Sequence, residues 1–256
     1  MKKAVLAVSF GTSYKSAAER SLNAVEKSFE EAFPKYDIYR AFTSGMIIGI
    51  LGERGIRVDS IDEALKKLYN NKYECVIVQP THLIGGEEYE KLYAQAIKYR
   101  DCFKRFEIGA PLLNDTEDLE RVCEFFHEKY CIGGRFLVLM GHGTEHKTNA
   151  VYSEMNDICR KNGYDDMLIG TVEAEPSVED VIEQLGSRKF SGIVLTPLML
   201  VAGDHAHNDM AGDSENSWKS RLERFGEVEA ILTGMGEYEE IRNMYAERLR
   251  KIIEKA

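Results

Sequence analysis

Short apolar runs alternate along the chain with longer stretches in which apolar residues recur every third or fourth position. The short runs are typical of buried strands, and the longer pattern is typical of helices that pack one face on a sheet. The predicted strands are residues 4–10, 38–43, 75–78, 106–110, 136–140, 167–172, 192–196 and 229–232. The predicted helices are residues 16–33, 60–70, 87–99, 115–130, 148–162, 177–185, 217–225 and 237–255. This alternation predicts an α/β fold with mainly parallel sheets.

The two halves of the chain follow a similar plan. The apolar run that ends in Gly-Thr at residues 4–12 is repeated at residues 136–144, and residues 75–80 correspond in the same way to residues 192–197. The pattern predicts two similar α/β domains, 1–132 and 133–256, each with a four-stranded sheet flanked by helices, and a cleft between them. Gly133-Gly134 marks the expected boundary, with the last helix free to pack across onto the first domain.

The amino-acid composition and net charge argue against several classes of function. Hydrophobic residues make up 44% and charged residues 30%, which is typical of a soluble globular protein, and no apolar stretch is long enough for a membrane span. A net charge of −10 argues against a general nucleic-acid binder. The five cysteines are odd in number and lack Cys-x-x-Cys spacing, as expected for reduced thiols in a cytoplasmic protein. Formation of a homo-oligomer is left open.

Three potential metal ligands follow predicted strands of the second half. His142 comes directly after strand 136–140, Glu173 after strand 167–172, and His205 after strand 192–196. Because the carboxyl ends of parallel strands meet at one edge of a sheet, two imidazoles and one carboxylate are expected to converge there. Such a set suits a divalent cation such as Co²⁺, Ni²⁺, Fe²⁺ or Zn²⁺. The alternative is that Glu173 only caps the helix that begins near Ser177.

The polar loop after residue 202 carries two histidines, His205 and His207, two positions apart. In an extended loop both side chains would point to the same side, whereas in a helix they would point in different directions. We favour His205 as the ligand. Asp204 and Asp209 are candidates to orient the imidazole, or else to close turns of a surface loop.

The corresponding loops of the first half offer hydroxyls, backbone amides and apolar groups instead of metal ligands. They are candidates to bind a large flat organic ligand, whereas the alternative for residues 46–51 is a role in the core. The candidate residues are Ser9, Phe10, Gly11, Thr12, Ser13, Thr43, Ser44, Met46, His82 and Gly86. The glycine-rich fingerprints of nucleotide sites are absent from the sequence, as is the Gly-x-Ser-x-Gly motif of serine hydrolases, so no nucleotide cofactor is expected.

These motifs resemble the class II chelatases, and most closely the anaerobic sirohydrochlorin cobaltochelatases. The resemblance runs nearly end to end and rests on residues 9–14, 79–84 with 86–89, 141–143, 172–173, and 197–206 with 208–209. It implies two α/β domains around a tetrapyrrole cleft and metal ligands at His142, Glu173 and His205. The implied activity is ATP-independent insertion of Co²⁺ into sirohydrochlorin during cobalamin biosynthesis, with His142 and Glu173 as catalytic residues.

Other functions remain open at this point. A related chelatase would use Fe²⁺, Ni²⁺ or another tetrapyrrole, and a metal or tetrapyrrole carrier would use the same residues without turnover. A solute-binding protein with two α/β domains is a third alternative, which the lack of a signal-peptide pattern disfavours. The sequence does not assign roles to His146 and His207, and it does not identify which ligand accepts the pyrrole protons.

Overall fold

The structure is a computed structural model that describes residues 1–186 and 188–255. Its strands form two four-stranded sheets in which every pairing is parallel, with the orders β2-β1-β3-β4 and β6-β5-β7-β8. The strands are β1 (Lys3–Ser9), β2 (Asp37–Phe42), β3 (Cys75–Pro80), β4 (Arg105–Ile108), β5 (Phe136–Gly141), β6 (Met167–Thr171), β7 (Ile193–Leu198) and β8 (Val228–Ala230). The predicted α/β class and the two similar parallel sheets are confirmed.

Helices connect successive strands, as parallel pairing requires. They are α1 (Lys15–Arg20), α2 (Leu22–Ala32), α3 (Gly45–Glu53), α4 (Ile61–Asn70), α5 (Glu87–Ala96), α6 (Thr116–Tyr130), α7 (Ala150–Lys161), α8 (Val178–Leu185), α9 (Trp218–Leu222) and α10 (Glu239–Glu254). Helices α6 and α8 each begin at a capping box, in which Asp115 pairs reciprocally with Asp118 and Ser177 pairs reciprocally with Asp180. No helix of the described chain is both long and apolar enough to cross a membrane.

Two helical regions differ from the sequence prediction. The single helix predicted for residues 16–33 is divided at Ser21 into α1 and α2. Helix α3 was not predicted because glycine at positions 45, 49 and 52 interrupts the usual helical pattern. It begins where the Ser44 hydroxyl accepts a hydrogen bond from the Ile47 backbone N–H.

The chain divides into two compact units at positions that differ from the predicted boundary. The first unit contains Met1–Leu112 and the C-terminal segment that begins at Gly236, and the second contains Leu113–Met235. Helix α10 belongs to the first unit because it packs on α2 and the buried Tyr245 hydroxyl donates to the Thr81 carbonyl at 2.7 Å. Helix α6 belongs to the second unit because it packs on α7 and β5. The division at 132/133 was therefore wrong.

A buried core surrounds the central strands of each unit. Strands β3, β5 and β7 are buried throughout, and β1 is buried after its first residue, because helices cover both faces of the sheets. In the second unit the core side chains of β5 and β7 pack with those of α8 and with Trp218 of α9. The strand ends that carry the polar residues are thus anchored in rigid cores.

Strand β6 lies at an edge of its sheet, and Asn156 of α7 pairs with its outer side. The buried Asn156 amide donates to the Ile169 carbonyl at 2.8 Å and accepts from the Ile169 N–H at 2.9 Å. We expect Asn156→Ala to lower the free energy of unfolding by about 3 kcal/mol, because two backbone groups lose their partner. Thermal unfolding measures the change, and Asn162→Ala, at an exposed position after the same helix, is the control. Equal stability of the two variants would contradict this role of Asn156.

Candidate metal centre

Three side chains converge at the carboxyl edge of the second sheet. His142 follows the central strand β5, Glu173 follows its neighbour β6, and His205 follows β7 on the other side. One potential ligand atom from each lies within 4.8 Å of the others. The Glu173 carboxylate is 3.5 Å from Nδ1 of His142 and 3.9 Å from Nε2 of His205. The structure thus brings together the three residues that the sequence singled out.

The backbone holds two of these residues in register beyond the ends of their strands. The Val172 N–H donates to the Gly141 carbonyl at 3.0 Å, and the Glu173 N–H donates to the His142 carbonyl at 2.9 Å. This continuation of the β5–β6 ladder sets the separation of the imidazole and the carboxylate. Both side chains remain about half exposed and are therefore accessible to a ligand.

The imidazoles of His142 and His205 lie close together at nearly a right angle. Their ring centroids are 4.6 Å apart and the interplanar angle is 87°. Nδ1 of His142 is 3.0 Å from the Gly143 carbonyl oxygen, so we assign the proton to Nδ1 and the lone pair to Nε2. Nδ1 of His205 likewise donates to the Asp209 carboxylate at 2.7 Å, which leaves its Nε2 as the ligand atom.

The loop that carries His205 contains an unpredicted π-helical turn at Ala206–Met210. His205 precedes it in helical conformation, and this places Asp209, four positions later, beside the imidazole. Asp204 instead accepts from the Asn208 side-chain amide at 2.9 Å and closes the turn. Of the two roles considered for these aspartates, Asp209 orients the imidazole and Asp204 serves the loop. Such π-helical turns are frequent at functional sites.

The other two histidines of these loops lie outside the cluster of three. His146 precedes a short 3₁₀ helix, Lys147–Asn149, and its Nδ1 accepts from the Thr148 N–H at 3.3 Å. His207 is exposed on the π-helical turn, and no potential metal cluster among the described residues includes it. The helical conformation turns His207 away from His205, as expected for residues two positions apart in a helix.

Gly143 allows the loop after β5 to pack against the loop that carries Glu173. Its φ is +86°, and a Cβ atom there would be 2.9 Å from both the Ala174 backbone nitrogen and the Thr171 hydroxyl. We expect Gly143→Ala to cost about 1–3 kcal/mol of stability and to weaken Co²⁺ binding, because Glu173 must move. Calorimetric unfolding and metal titration measure the two effects.

The matched control for Gly143→Ala is Gly163→Ala. Gly163 has a similar φ of +75°, but nothing lies within 4 Å of the added Cβ. This variant carries the backbone strain without the clash, and it is expected to bind Co²⁺ like the wild-type protein. Equal Co²⁺ affinity in both variants would show that the Gly143 packing does not position Glu173.

The candidate ligand-binding residues of the first unit follow three neighbouring strands, β2, β1 and β3. The loops are tied together by backbone bonds, including Thr43 N–H to the Ser9 carbonyl at 2.9 Å and Ser44 N–H to the Phe10 carbonyl at 3.2 Å. Phe10 and Met46 expose 45% and 69% of their surface. These two side chains offer an apolar surface at this edge of the first sheet.

Several of the other candidates in the first unit serve the loop structure itself. The buried Ser9 hydroxyl hydrogen-bonds Thr81 at 2.7 Å, and the Thr12 hydroxyl accepts from the Tyr14 N–H at 3.2 Å. Ser44 caps α3, and the buried Gly86 precedes α5. Gly11 has a φ of +103°, and its missing Cβ leaves room for the Phe42 ring. Ser13 and Thr43 are half-buried at the same loop edge.

His82, which follows β3, is a half-buried residue whose imidazole nitrogens are fully buried. Both ring nitrogens are inaccessible, and among the described residues neither has a hydrogen-bond partner. Burial lowers the pKa of His82 to about 4, and the nearby Glu88 carboxylate only partly opposes this shift. The imidazole is therefore neutral at pH 7 and retains an unused acceptor and an unused donor.

Stability is expected to depend on the protonation of His82. Its pKa is about 6.5 in an unfolded chain and about 4 in the folded protein, so between these values the unfolded state binds more protons. The folded state should lose about 3 kcal/mol as the pH falls through this window. Urea unfolding of the wild-type protein and of His82→Gln across pH 4–7 measures the difference. Parallel stability profiles would contradict a buried neutral imidazole.

The sequence matches the family described as cobalt chelatase (CbiK) over residues 3–254. It is 38% identical over 260 residues to a sirohydrochlorin cobaltochelatase of Salmonella typhimurium, an alignment that covers 100% of this chain and 98% of the relative. It is 33% identical over 254 residues to the sirohydrochlorin cobaltochelatase CbiKC of Nitratidesulfovibrio vulgaris, covering 97% and 89% of the two chains.

Among solved structures, the fold is similar to SirB from Bacillus subtilis with Fe³⁺. The TM-score is 0.67 at 14% sequence identity, and the match covers 98% of this chain and 95% of SirB. At this identity the likeness concerns the fold alone. It supports the two parallel four-stranded sheets described above.

Proposed function

The chain belongs to the cobalt chelatase (CbiK) family, and from this premise we propose that it is an enzyme that inserts Co²⁺ into sirohydrochlorin at His142, Glu173 and His205. The observation that carries the assignment of the site is the convergence of one ligand atom from each of these residues within 4.8 Å. Two nitrogen donors and one oxygen donor suit a borderline divalent cation such as Co²⁺.

The three residues have complementary roles in the proposed reaction. An imidazole nitrogen of His142, Nε2 of His205 and a carboxylate oxygen of Glu173 bind the incoming Co²⁺ and replace part of its water shell. Three protein ligands leave further coordination positions open, and the ring nitrogens of the tetrapyrrole enter these positions. Asp209 keeps the proton of His205 on Nδ1, so the other nitrogen stays available to the metal.

Insertion also releases two protons from the pyrrole nitrogens. Glu173 is suited to accept them one after the other, because its carboxylate lies 3.5 Å and 3.9 Å from a nitrogen of each imidazole and is half exposed to solvent. As Co²⁺ passes from the protein to the ring, the carboxylate loses its metal and gains proton affinity. Each of the two protons then passes from Glu173 to solvent, and no nucleotide is required for these steps.

The first unit supplies groups suited to hold the macrocycle. Phe10 and Met46 offer apolar surface for the ring face, and the loop 11–13 offers backbone N–H groups and hydroxyls for its carboxylates. The N–H groups of Thr43 and Ser44 bond the Ser9 and Phe10 carbonyls and hold the neighbouring loop in place. The ring nitrogens of His82 and the whole of Gly86 are buried, so these two residues support the loops of this set instead of contacting the ring. Ser9 supports these loops through its buried hydrogen bond to Thr81 and does not contact the ring.

Turnover separates this enzyme from a carrier that binds the same ligands. Purified protein is mixed anaerobically with Co²⁺ and a large excess of sirohydrochlorin, and the change in ring absorption is followed. A chelatase converts many rings per chain, whereas a carrier stops at one. Saturation at one ring would overturn the proposed catalytic function.

The choice of metal is tested in the same assay with Co²⁺, Fe²⁺ and Ni²⁺ at equal concentrations. Affinity order alone favours Ni²⁺ over Co²⁺, so the preference must come from site geometry and ligand exchange. We expect the highest value of kcat/KM for Co²⁺. A higher value for Fe²⁺ or Ni²⁺ would reject Co²⁺ as the preferred metal but retain the chelatase.

A further inference from the structure

A second cluster of potential metal ligands lies elsewhere in the second unit. It consists of His127, Cys131 and Asp166, and one ligand atom from each lies within 4.8 Å of the others. His127 is in the last turn of α6, Cys131 follows that helix, and Asp166 immediately precedes β6. Glu173 follows β6, so the two clusters lie at opposite ends of this strand.

The sequence spacing and local contacts orient these three side chains. His127 and Cys131 are four positions apart, which places them on one face at the end of α6. Nε2 of His127 is 2.9 Å from the Asp166 carboxylate, and the Cys131 thiol donates to the Asp166 carbonyl at 3.6 Å. The Tyr164 ring stacks on the His127 ring with centroids 4.0 Å apart and fixes its plane.

We propose that His127, Cys131 and Asp166 bind a second divalent transition-metal ion, with Zn²⁺ as the preferred cation. Imidazole, thiolate and carboxylate are all ligands of Zn²⁺, and sulfur favours Zn²⁺ strongly over Mg²⁺ or Ca²⁺. With the usual Zn–N, Zn–S and Zn–O lengths, tetrahedral ligands are about 3.4–3.6 Å apart. The cluster must therefore contract by at most about 1 Å, because its ligand atoms lie within 4.8 Å of one another, and the short His127–Asp166 contact must open slightly.

The surroundings favour a metal site over a simple histidine–aspartate pair. An ion pair accounts for His127 and Asp166, and the hydrogen bond of the Cys131 thiol to the Asp166 carbonyl holds a third type of metal ligand beside that pair. His127 and Asp166 are 25% and 41% exposed, so a hydrated ion can reach them. Burial and the Asp166 carboxylate raise the pKa of Cys131 to about 12, so its thiol is protonated in the metal-free protein. Metal binding would replace that proton, as it does in other thiolate sites.

Cobalt provides a probe that separates this cluster from the chelatase site, because only this cluster contains sulfur. Full-length reduced protein is titrated anaerobically with Co²⁺ alone, and the near-ultraviolet thiolate-to-cobalt charge-transfer band is measured. We expect the intensity of this band to saturate at one Co²⁺ ion per protein chain. Competing Zn²⁺ should remove the band, and the Cys131→Ser variant should not show it. His127→Ala should weaken Co²⁺ binding at this cluster by at least about tenfold.

Two controls keep the result independent of the proposed chelatase activity. His142→Ala removes a ligand of the other cluster and should retain the band, as should Cys102→Ser, which alters an exposed thiol of the first unit. Absence of the band from the wild-type protein, or its persistence in Cys131→Ser, would overturn the second site. Loss of cobalt insertion with the band retained would overturn only the chelatase assignment.

Discussion

Replacing His142 with alanine is expected to slow cobalt insertion into sirohydrochlorin by at least about 100-fold. Loss of a residue that merely supports a metal ligand already costs about 10–100-fold, and His142 is proposed to be a ligand itself. The remaining Glu173 and His205 would hold Co²⁺ weakly and without the perpendicular pair of imidazoles. The initial anaerobic rate, measured from ring absorption at saturating sirohydrochlorin, gives the effect.

His207→Ala is the matched control for this experiment. It removes an imidazole that belongs to the loop of His205 but lies outside the cluster, so turnover should stay close to that of the wild-type protein. Circular dichroism of both variants verifies that the fold is intact. Wild-type turnover in a folded His142→Ala variant would exclude His142 from the reaction.

Glu173→Gln is expected to have the second large effect and to separate proton transfer from metal binding. The amide has the shape of the carboxylate and keeps one oxygen donor, but it cannot accept a proton at neutral pH. Turnover should fall by about 10²–10⁴-fold, the usual contribution of a positioned general base. Affinity for Co²⁺, measured by titration without the tetrapyrrole, should fall much less.

The control for this substitution is Glu175→Gln, in the same loop and also exposed but outside the cluster. It makes the same change of charge two positions away and should leave turnover nearly unchanged. If Glu173→Gln lost turnover and Co²⁺ affinity to the same extent, Glu173 would act only as a metal ligand and not as the proton acceptor. Unchanged turnover would reject both of its proposed roles.

The convergence of the three candidate ligands was predictable from sequence because their placement follows from strand order. Parallel strands in the order β6-β5-β7 must bring their carboxyl ends to one edge, and His142, Glu173 and His205 each follow one of those strands. The core strands were equally predictable, since uninterrupted apolar runs have few alternatives to burial in a parallel sheet. The family resemblance supplied the metal and the tetrapyrrole, which strand order alone could not.

Other features depend on packing that local patterns do not encode. The π-helical turn that places Asp209 beside His205 has no clear sequence signal. The roles of Asp204 and Asp209 could not be separated until the backbone of this turn was known. Ser9 looked like a ligand-binding hydroxyl, but its side chain is buried against Thr81, which follows the neighbouring strand β3.

The prediction of the boundary between the two units was wrong for a related reason. Gly133 and Gly134 have positive φ and form a turn, but this turn connects α6 to β5 within the second unit. A glycine pair identifies a change of chain direction and carries no information about which core the preceding helix joins. Helix α6 joins the second unit through its packing on α7 and β5.

The most direct measurement is the initial rate of Co²⁺ insertion into sirohydrochlorin under anaerobic conditions, with and without the purified protein. We expect the protein to accelerate formation of the cobalt complex far above the uncatalysed rate, without ATP and through many turnovers. A rate equal to that of the protein-free mixture would contradict the chelatase function proposed for His142, Glu173 and His205.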